Sequence, residues 1–330
     1  MKDKKITILN IVLLVINLVL IGFNCYKIFT TNVSDNDTKN ISDHVNAVDY
    51  IKTLYETDAL ANGLKKDTTE DENIRYVGSN PKNYVEFNGE TWRIIGIFGS
   101  NLKLVRNDLL TSYSFDNKGI TSLSSFDLSW NVYGSNDWSK SYLREFLNDY
   151  YYEDKDITCH SGGELEVENK EVVCPTITKL NNTAKGMIQK STWYLGGIAD
   201  KGCGDCYGST EELYLKERGT EVYDDHATSS LDYVGLIYQT DYIFANNSTE
   251  DCGLDDDGIS NCSLDNWMSI DKTYLVISPS VKNEYHVFEA GGSYTNANSE
   301  LGVRPSVYLK SNVRIVSGSG TEDDMFKLKI

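Results

Sequence analysis

Histidine and proline are scarce in this chain, with four of each among 330 residues. His44, His160, His226 and His286 stand in unrelated contexts and no His-Glu-x-x-His run occurs, so a zincin-type helix is excluded. Neither Gly-x-Ser-x-Gly nor Gly-x-x-x-x-Gly-Lys is present, which removes the nucleophile-elbow hydrolases and the P-loop nucleotide hydrolases. Positive charge is also short: 31 Lys and Arg stand against 49 Asp and Glu, a formal net charge of −18. Residues 1–30 hold a local +3, from Lys2, Lys4, Lys5 and Lys27 against Asp3, leaving −21 for the rest. A surface so acidic, with no basic stripe, repels phosphate backbones and excludes nucleic acid as a partner. It suits divalent cations or basic partners, and it also keeps an exposed domain soluble.

What is present begins with one long apolar run. Ile6 to Phe29 is apolar apart from Thr7, Asn10, Asn17, Asn24, Cys25 and, near its end, Lys27, and is long enough to cross a bilayer as a helix. Lys2, Lys4 and Lys5 precede it, which favours a plasma-membrane, single-pass topology with the N-terminus inside and the bulk of the chain extracytoplasmic. A cleaved signal peptide is the rival, but no small-x-small site closes the run. Leu20-Ile-Gly-Phe-Asn-Cys25 lacks the small residues expected before a lipidated Cys. The organisation that follows is a cytoplasmic tip and transmembrane anchor over 1–29, a linker and stalk helix over 30–72, and an extracytoplasmic domain over 73–330. Ser42 and Asp43 are candidate caps for the stalk helix, whose apolar positions Val45, Val48, Ile51, Leu54 and Leu60 recur at helical spacing.

With 40% apolar residues, 22 Tyr and 5 Trp, the remainder can build a core. From Asn73 the pattern turns to strands: Arg75-Tyr-Val-Gly, Tyr84 to Phe98 and Leu102 to Arg106. Asn88-Gly89 is a strong hairpin signal and Gly99-Ser-Asn101 a second connection. Trp92 shares a face with Ile94 and reads as core. Asn136 to Asn148 is the clearest helix, with Trp138, Tyr142, Leu143, Phe146 and Leu147 on one face and Asn136 or Asp137 as cap. A second helix is expected over Asn182 to about Ser191, and a short buried strand over Val234 to Tyr238, with Tyr242 opening a loop. Near the C-terminus, Tyr274-Leu-Val-Ile-Ser-Pro and Gly302-Val-Arg-Pro-Ser-Val-Tyr-Leu309 read as strands flanking an exposed loop, Gly291–Gly302. Arg304 is expected to form a buried ion pair locking the last strand.

Trp138-Ser-x-Ser-x-Leu-Arg-x-Phe-Leu-Asn148, Ser278-Pro279, Gly302 to Leu309 and the Phe87-Asn-Gly-x-x-Trp-Arg-Ile-Ile-Gly96 hairpin together resemble a family of uncharacterised bacterial secreted domains. That family is related to the C-type-lectin-like fold shared by sulfatase-modifying-factor and hypervariable surface proteins. The resemblance implies an α+β, C-type-lectin-like mixed fold with two main helices and short antiparallel sheets, here preceded by one N-terminal transmembrane helix. It also implies loops that display a ligand face. Calcium-dependent lectins use a Glu-Pro-Asn or Gln-Pro-Asp triplet, and the four prolines here have other neighbours. Formylglycine-generating activity needs a cysteine pair late in the domain, and no Cys follows Cys262.

Six cysteines pair by proximity as Cys159 with Cys174, Cys203 with Cys206 and Cys252 with Cys262, a disulfide set suited to an exported chain. A redox motif at Cys203-Gly-Asp-Cys206 and a zinc knuckle are the open alternatives. No cofactor is required by the sequence, but Asp251-Cys-Gly-Leu-Asp-Asp-Asp-Gly258 offers hard oxygen ligands, Asp255 and Asp257 first, of the kind calcium prefers. It lacks a Glu at the twelfth position, where Cys262 stands, and a solvated acidic loop is the alternative. Two functions are carried forward. The first is a membrane-anchored binding or adhesion module for a protein or glycan ligand, with Trp267, Tyr294, Asn296 and Asn298 as contacts on two loops. The second is an extracytoplasmic hydrolase that uses acidic residues. Buried, perturbed carboxylates clustered in one cleft would favour the enzyme.

Overall fold

The computed structural model describes residues 45–117, 133–161, 170–199, 208–247, 253–255, 258–260 and 262–330. The expected membrane span, Ile6–Phe29, lies outside them; among the described residues no helix is long and apolar enough to cross a membrane. The expected stalk helix is α1, Ala47–Asn62, capped not by Ser42 or Asp43 but by Asn46, whose side chain accepts from the Asp49 amide. Its first turns pack: Ala47, Val48 and Ile51 are buried, and the Ala47 amide donates to the Val313 carbonyl at 2.7 Å. Leu60, near its other end, is 89% exposed. The helix belongs to the unit His44–Ile330, so folding starts ahead of the Asn73 boundary read from the sequence.

The architecture is mixed α+β, organised on a ten-stranded sheet larger than the short sheets expected. Its strands, numbered along the chain, are β1 Leu64–Lys66, β2 Ile74–Tyr76, β3 Tyr84–Phe87, β4 Glu90–Phe98, β5 Asn101–Arg106, β6 Ile188–Gln189, β7 Val234–Gly235, β8 Ser306–Leu309, β9 Arg314–Ser317 and β10 Phe326–Lys329. Spatially they run β7-β8-β5-β4-β3-β10-β9, with β2 also on β4, β1 on β2 and β6 on β8. All pairings are antiparallel except β10 with β3.

The β3–β4 hairpin closes as expected, since Asn88 and Gly89 both take positive φ, 61° and 73°, the backbone that a two-residue primed turn requires. Gly99, at φ 60°, leads the β4–β5 turn. β4 bends where its register with β5 slips between Ile94 and Gly96, and there it exchanges β3 for β2 as its other neighbour. Gly96 is obligatory at this point, because a Cβ would lie 2.3 Å from the Ile74 carbonyl oxygen. β4 is buried on both faces, Trp92 and Ile94 entirely so.

The helical segments differ from the sequence reading by their breaks. Asn136–Asn148 is not one helix: Asp137 caps a single 3₁₀ turn over Trp138–Lys140, then Ser141 is extended and caps α2, Tyr142–Glu145. A π-type turn continues it to Tyr152. The next helix is short, α3, Asn182–Met187, and the chain enters β6 directly. α4 spans Thr210–Glu217 behind a capping box of Ser209 and Glu212. The strand expected over Val234–Tyr238 stops at Gly235, and Tyr238 starts α5, Gln239–Phe244, which contains Tyr242. The Gly291–Gly302 segment is not wholly loop, since Tyr294–Asn296 forms the third strand of a sheet with Leu275–Pro279 and His286–Glu289.

A core of Ile95, Val105, Leu213, Ile237, Ile243, Met268, Val276 and Phe288 joins the sheet to the helices. Arg304 is buried, as expected, but not in an ion pair among the described residues. Its Nε donates to the Arg106 carbonyl and its Nη1 to the Met268 carbonyl, both at 3.1 Å, and its guanidinium lies 4.7 Å from the Tyr274 ring centre. The planar fork thereby ties β5 and β8 to the loop at Met268. Arg304→Ala is expected to lower unfolding free energy by roughly 2–4 kcal/mol, because two carbonyls lose their donor in a buried place. Urea unfolding checks this; an unchanged midpoint would remove Arg304 from the structural frame.

Candidate functional site: an aromatic groove over a buried ion cluster

A groove of about 810 Å³ opens on the described surface. The β4–β5 turn contributes Phe98 to Asn101, the chain from β6 onward contributes Gln189 to Thr192 and Tyr194, and β8 contributes Tyr308. The end of α4 supplies Tyr214 and Arg218, the N-cap of α5 supplies Tyr238, and Asp71 and Asn73 close one side. The lining is therefore aromatic rings interleaved with amides and hydroxyls.

Directly behind this lining lie four charged side chains, all at most 2% exposed. Asp241, in the first turn of α5, accepts from the Arg75 Nη1 of β2 at 2.8 Å, from the Lys103 ammonium of β5, and from the Tyr238 amide at 3.0 Å. Arg75 continues through Nε to Asp67 at 2.6 Å. Asp67 also accepts from the Thr69 hydroxyl and from both nitrogens of Asn73. Two cations meet two anions, so the cluster is formally neutral. Burial alone would raise the Asp241 carboxyl, but Lys103 and Arg75 hold it well below the usual carboxylate range. Burial likewise opposes Asp67, and Arg75 outweighs it in the same sense.

Aromatic rings enclose both cations. The Lys103 nitrogen is 4.4 Å from the Tyr238 ring centre, 5.2 Å from Trp193, 5.3 Å from Tyr308 and 5.5 Å from Phe98. Arg75 lies 4.6 Å from Phe98 and 4.8 Å from Phe244. Phe98, Tyr238 and Tyr308 thus face the groove on one side and a buried charge on the other. Trp193 fits only because position 235 is Gly; a Cβ there would be 2.6 Å from the indole. Tyr238 is further fixed by its hydroxyl, which accepts from the Tyr194 amide at 2.8 Å and donates to the Tyr194 carbonyl at 3.1 Å. The Tyr214 hydroxyl donates to Asp71 at 2.6 Å and accepts from Asn73.

Glu217, at the end of α4, is another buried acid. It is fully covered, accepts from the Ser278 hydroxyl at 2.6 Å and from the Thr240 hydroxyl, and is raised chiefly by burial. It does not line the groove, where Asp71 is the single acidic residue.

The contacts expected from the sequence are not in this groove. Trp267 is 5% exposed; its indole donates to the Tyr76 carbonyl at 2.8 Å and its ring lies 4.8 Å from Arg93, so it is core rather than a surface contact. Asn298 is buried, and its carbonyl accepts from the Ser114 hydroxyl. Tyr294 and Asn296 stand at the surface on one strand, with Tyr294 4.4 Å from the His286 ring. Asp257 and the Asp255 side chain lie outside the described residues, as do Cys203, Cys206 and Cys252. Cys159 and Cys174 are joined, and Cys262 is also disulfide-bonded. No protein-family model, curated protein or solved structure matches this chain.

The cluster gives a pH signature. Asp67 and Asp241 have folded-state values below the unfolded ones, so their contribution is complete above the ordinary carboxylate value of about 4 and is lost as pH falls below it. Asp67→Asn should be less stable than wild type at neutral pH by roughly 3 kcal/mol, and the gap should narrow in urea melts taken below about pH 4. A gap of constant size would mean that Asp67 acts through shape rather than charge.

Proposed function

We propose that this chain is a membrane-anchored extracytoplasmic binding module of C-type-lectin-like fold, and that the groove holds a saccharide. The carrying observation is the lining itself: Tyr194, 45% exposed, and Tyr308 offer ring faces, while Asn73, Asn101, Gln189, Ser191 and Thr192 offer donors and acceptors. Sugar rings present apolar C–H faces between hydroxyls, and this mixture answers both. The apolar run Ile6–Phe29 and the oxidised Cys159–Cys174 pair support placement outside the cell. The hydrolase alternative draws less support, because a glycosidase needs two carboxylates facing one bond. Asp71 is the single acid in the lining, and Asp67, Asp241 and Glu217 are each enclosed by protein donors.

Tyr294 and Asn296 are proposed as a second, outlying contact, and Asp255 with Asp257 as a calcium-dependent adjunct. Thermal melting of the full-length chain with calcium and then with EDTA addresses the adjunct. A rise of several degrees assigns the cation to that acidic run by mass action, and superimposable curves remove it. For the groove, Tyr194→Ala is expected to weaken saccharide binding on a glycan array and in calorimetry by about tenfold. Its melting temperature should hold, because the ring is surface-borne. Binding that persists unchanged in Tyr194→Ala would move the ligand site elsewhere.

A further inference from the structure

The groove carries a charge opposite to that of the chain around it. In a chain of net charge −18, its charged lining residues are Lys190 and Arg218 against one acid, Asp71. That acid is engaged by the Tyr214 hydroxyl. The Arg218 guanidinium lies 3.3 Å from the Tyr214 ring centre and 4.8 Å from that of Tyr238, stacking that holds its plane in place. Its Nη1 donates to the Tyr214 carbonyl at 3.3 Å and stands 3.7 Å from Glu217, a carboxyl already bonded to Ser278 and Thr240. Nε and Nη2 of Arg218 have no partner among the described residues. That pair forms one edge of the guanidinium, the side-on fork that takes a carboxylate through two parallel N–H bonds. Lys190 is exposed, 5.3 Å from the Tyr233 ring, and meets no carboxylate among the described residues.

We propose that the groove takes an acidic saccharide, with the sugar carboxylate seated on the Nε–Nη2 edge of Arg218 and Lys190 as an outer, solvent-screened contact. The inference rests on the saccharide reading above and adds the ligand's charge. A neutral sugar would leave the stacked guanidinium edge satisfied by water alone. A carboxylate converts it into a charge-assisted pair on a support that is already ordered, so little side-chain freedom is lost on binding.

Calorimetry on the full-length chain tests this with two matched pairs of probes: trigalacturonic acid against galactotriose, and 3′-sialyllactose against lactose. The acidic member of at least one pair should bind about tenfold tighter than its neutral counterpart. Arg218→Gln should abolish that preference, bringing the acidic and neutral members of each pair to the same affinity. Lys190→Gln, at an exposed position that does not bear on folding, should cost about threefold, an effect that shrinks as NaCl rises from about 50 to about 300 mM. Equal binding of both members of each pair, in wild type and in Lys190→Gln, overturns the acidic assignment and leaves the saccharide reading standing. Absence of binding by all four probes overturns both.

Discussion

A single carboxylate, Asp241, ties the first turn of α5 to two strands of the principal sheet. It lies 166 residues from Arg75 and 138 from Lys103, and it accepts from both while also capping its own helix through the Tyr238 amide. Arg75 and Lys103 come from different strands of the principal sheet, so their charges would repel in the core without it. A buried ion cluster of this kind gains little net stability, because the desolvation of four charges offsets most of their attraction. Its consequence is positional. The first turn of α5 can dock on β2 and β5 in one register only, and that register places the Tyr238 ring in the groove.

The sequence made local structure legible wherever one residue type answers one backbone demand. Asn88-Gly89 announced its hairpin because few other pairs accept two positive φ angles in succession. Trp92 and Ile94 were readable as core from strand alternation, and both are fully buried. The helix over 136–148 was legible in place but not in continuity: its apolar spacing survives the break, while Ser141 was a cap hidden inside the pattern. Tyr238 and Tyr242 illustrate the limit of a short apolar run, which suits a buried strand and a buried helical turn equally. The capping bond from Asp241 decided the matter.

The groove itself was illegible for a different reason. Its lining comes from the β4–β5 turn, the chain after β6, the end of α4, the start of α5 and β8, none of which forms a motif in sequence. What brings them together is non-local strand pairing, above all β8 between β5 and β7. Trp267 misled in the opposite direction. It follows an acidic, glycine-bearing stretch, so composition argued for a surface loop, yet the ring packs against Arg93 and the indole N–H is satisfied by Tyr76. A tryptophan with its one donor bonded inside is a structural anchor.

The ion cluster and the groove are two sides of one layer, and this bears on what the groove can do. Phe98, Tyr238 and Tyr308 are each held from behind by a cation, and Asn73 reaches from Asp67 to the Tyr214 hydroxyl at the groove wall. A lining braced in this way has few rotamers to lose when a ligand arrives, which favours recognition. Proton-transfer chemistry asks for the reverse, a titratable group with a free coordination position facing the ligand. Asp67 and Asp241 are saturated by strong donors and held ionised, and Glu217 is turned to Ser278 and Thr240. The acids nearest the groove are thus occupied in positioning its rings, while Arg218, stacked on those rings with one edge unpartnered, is left to meet a ligand.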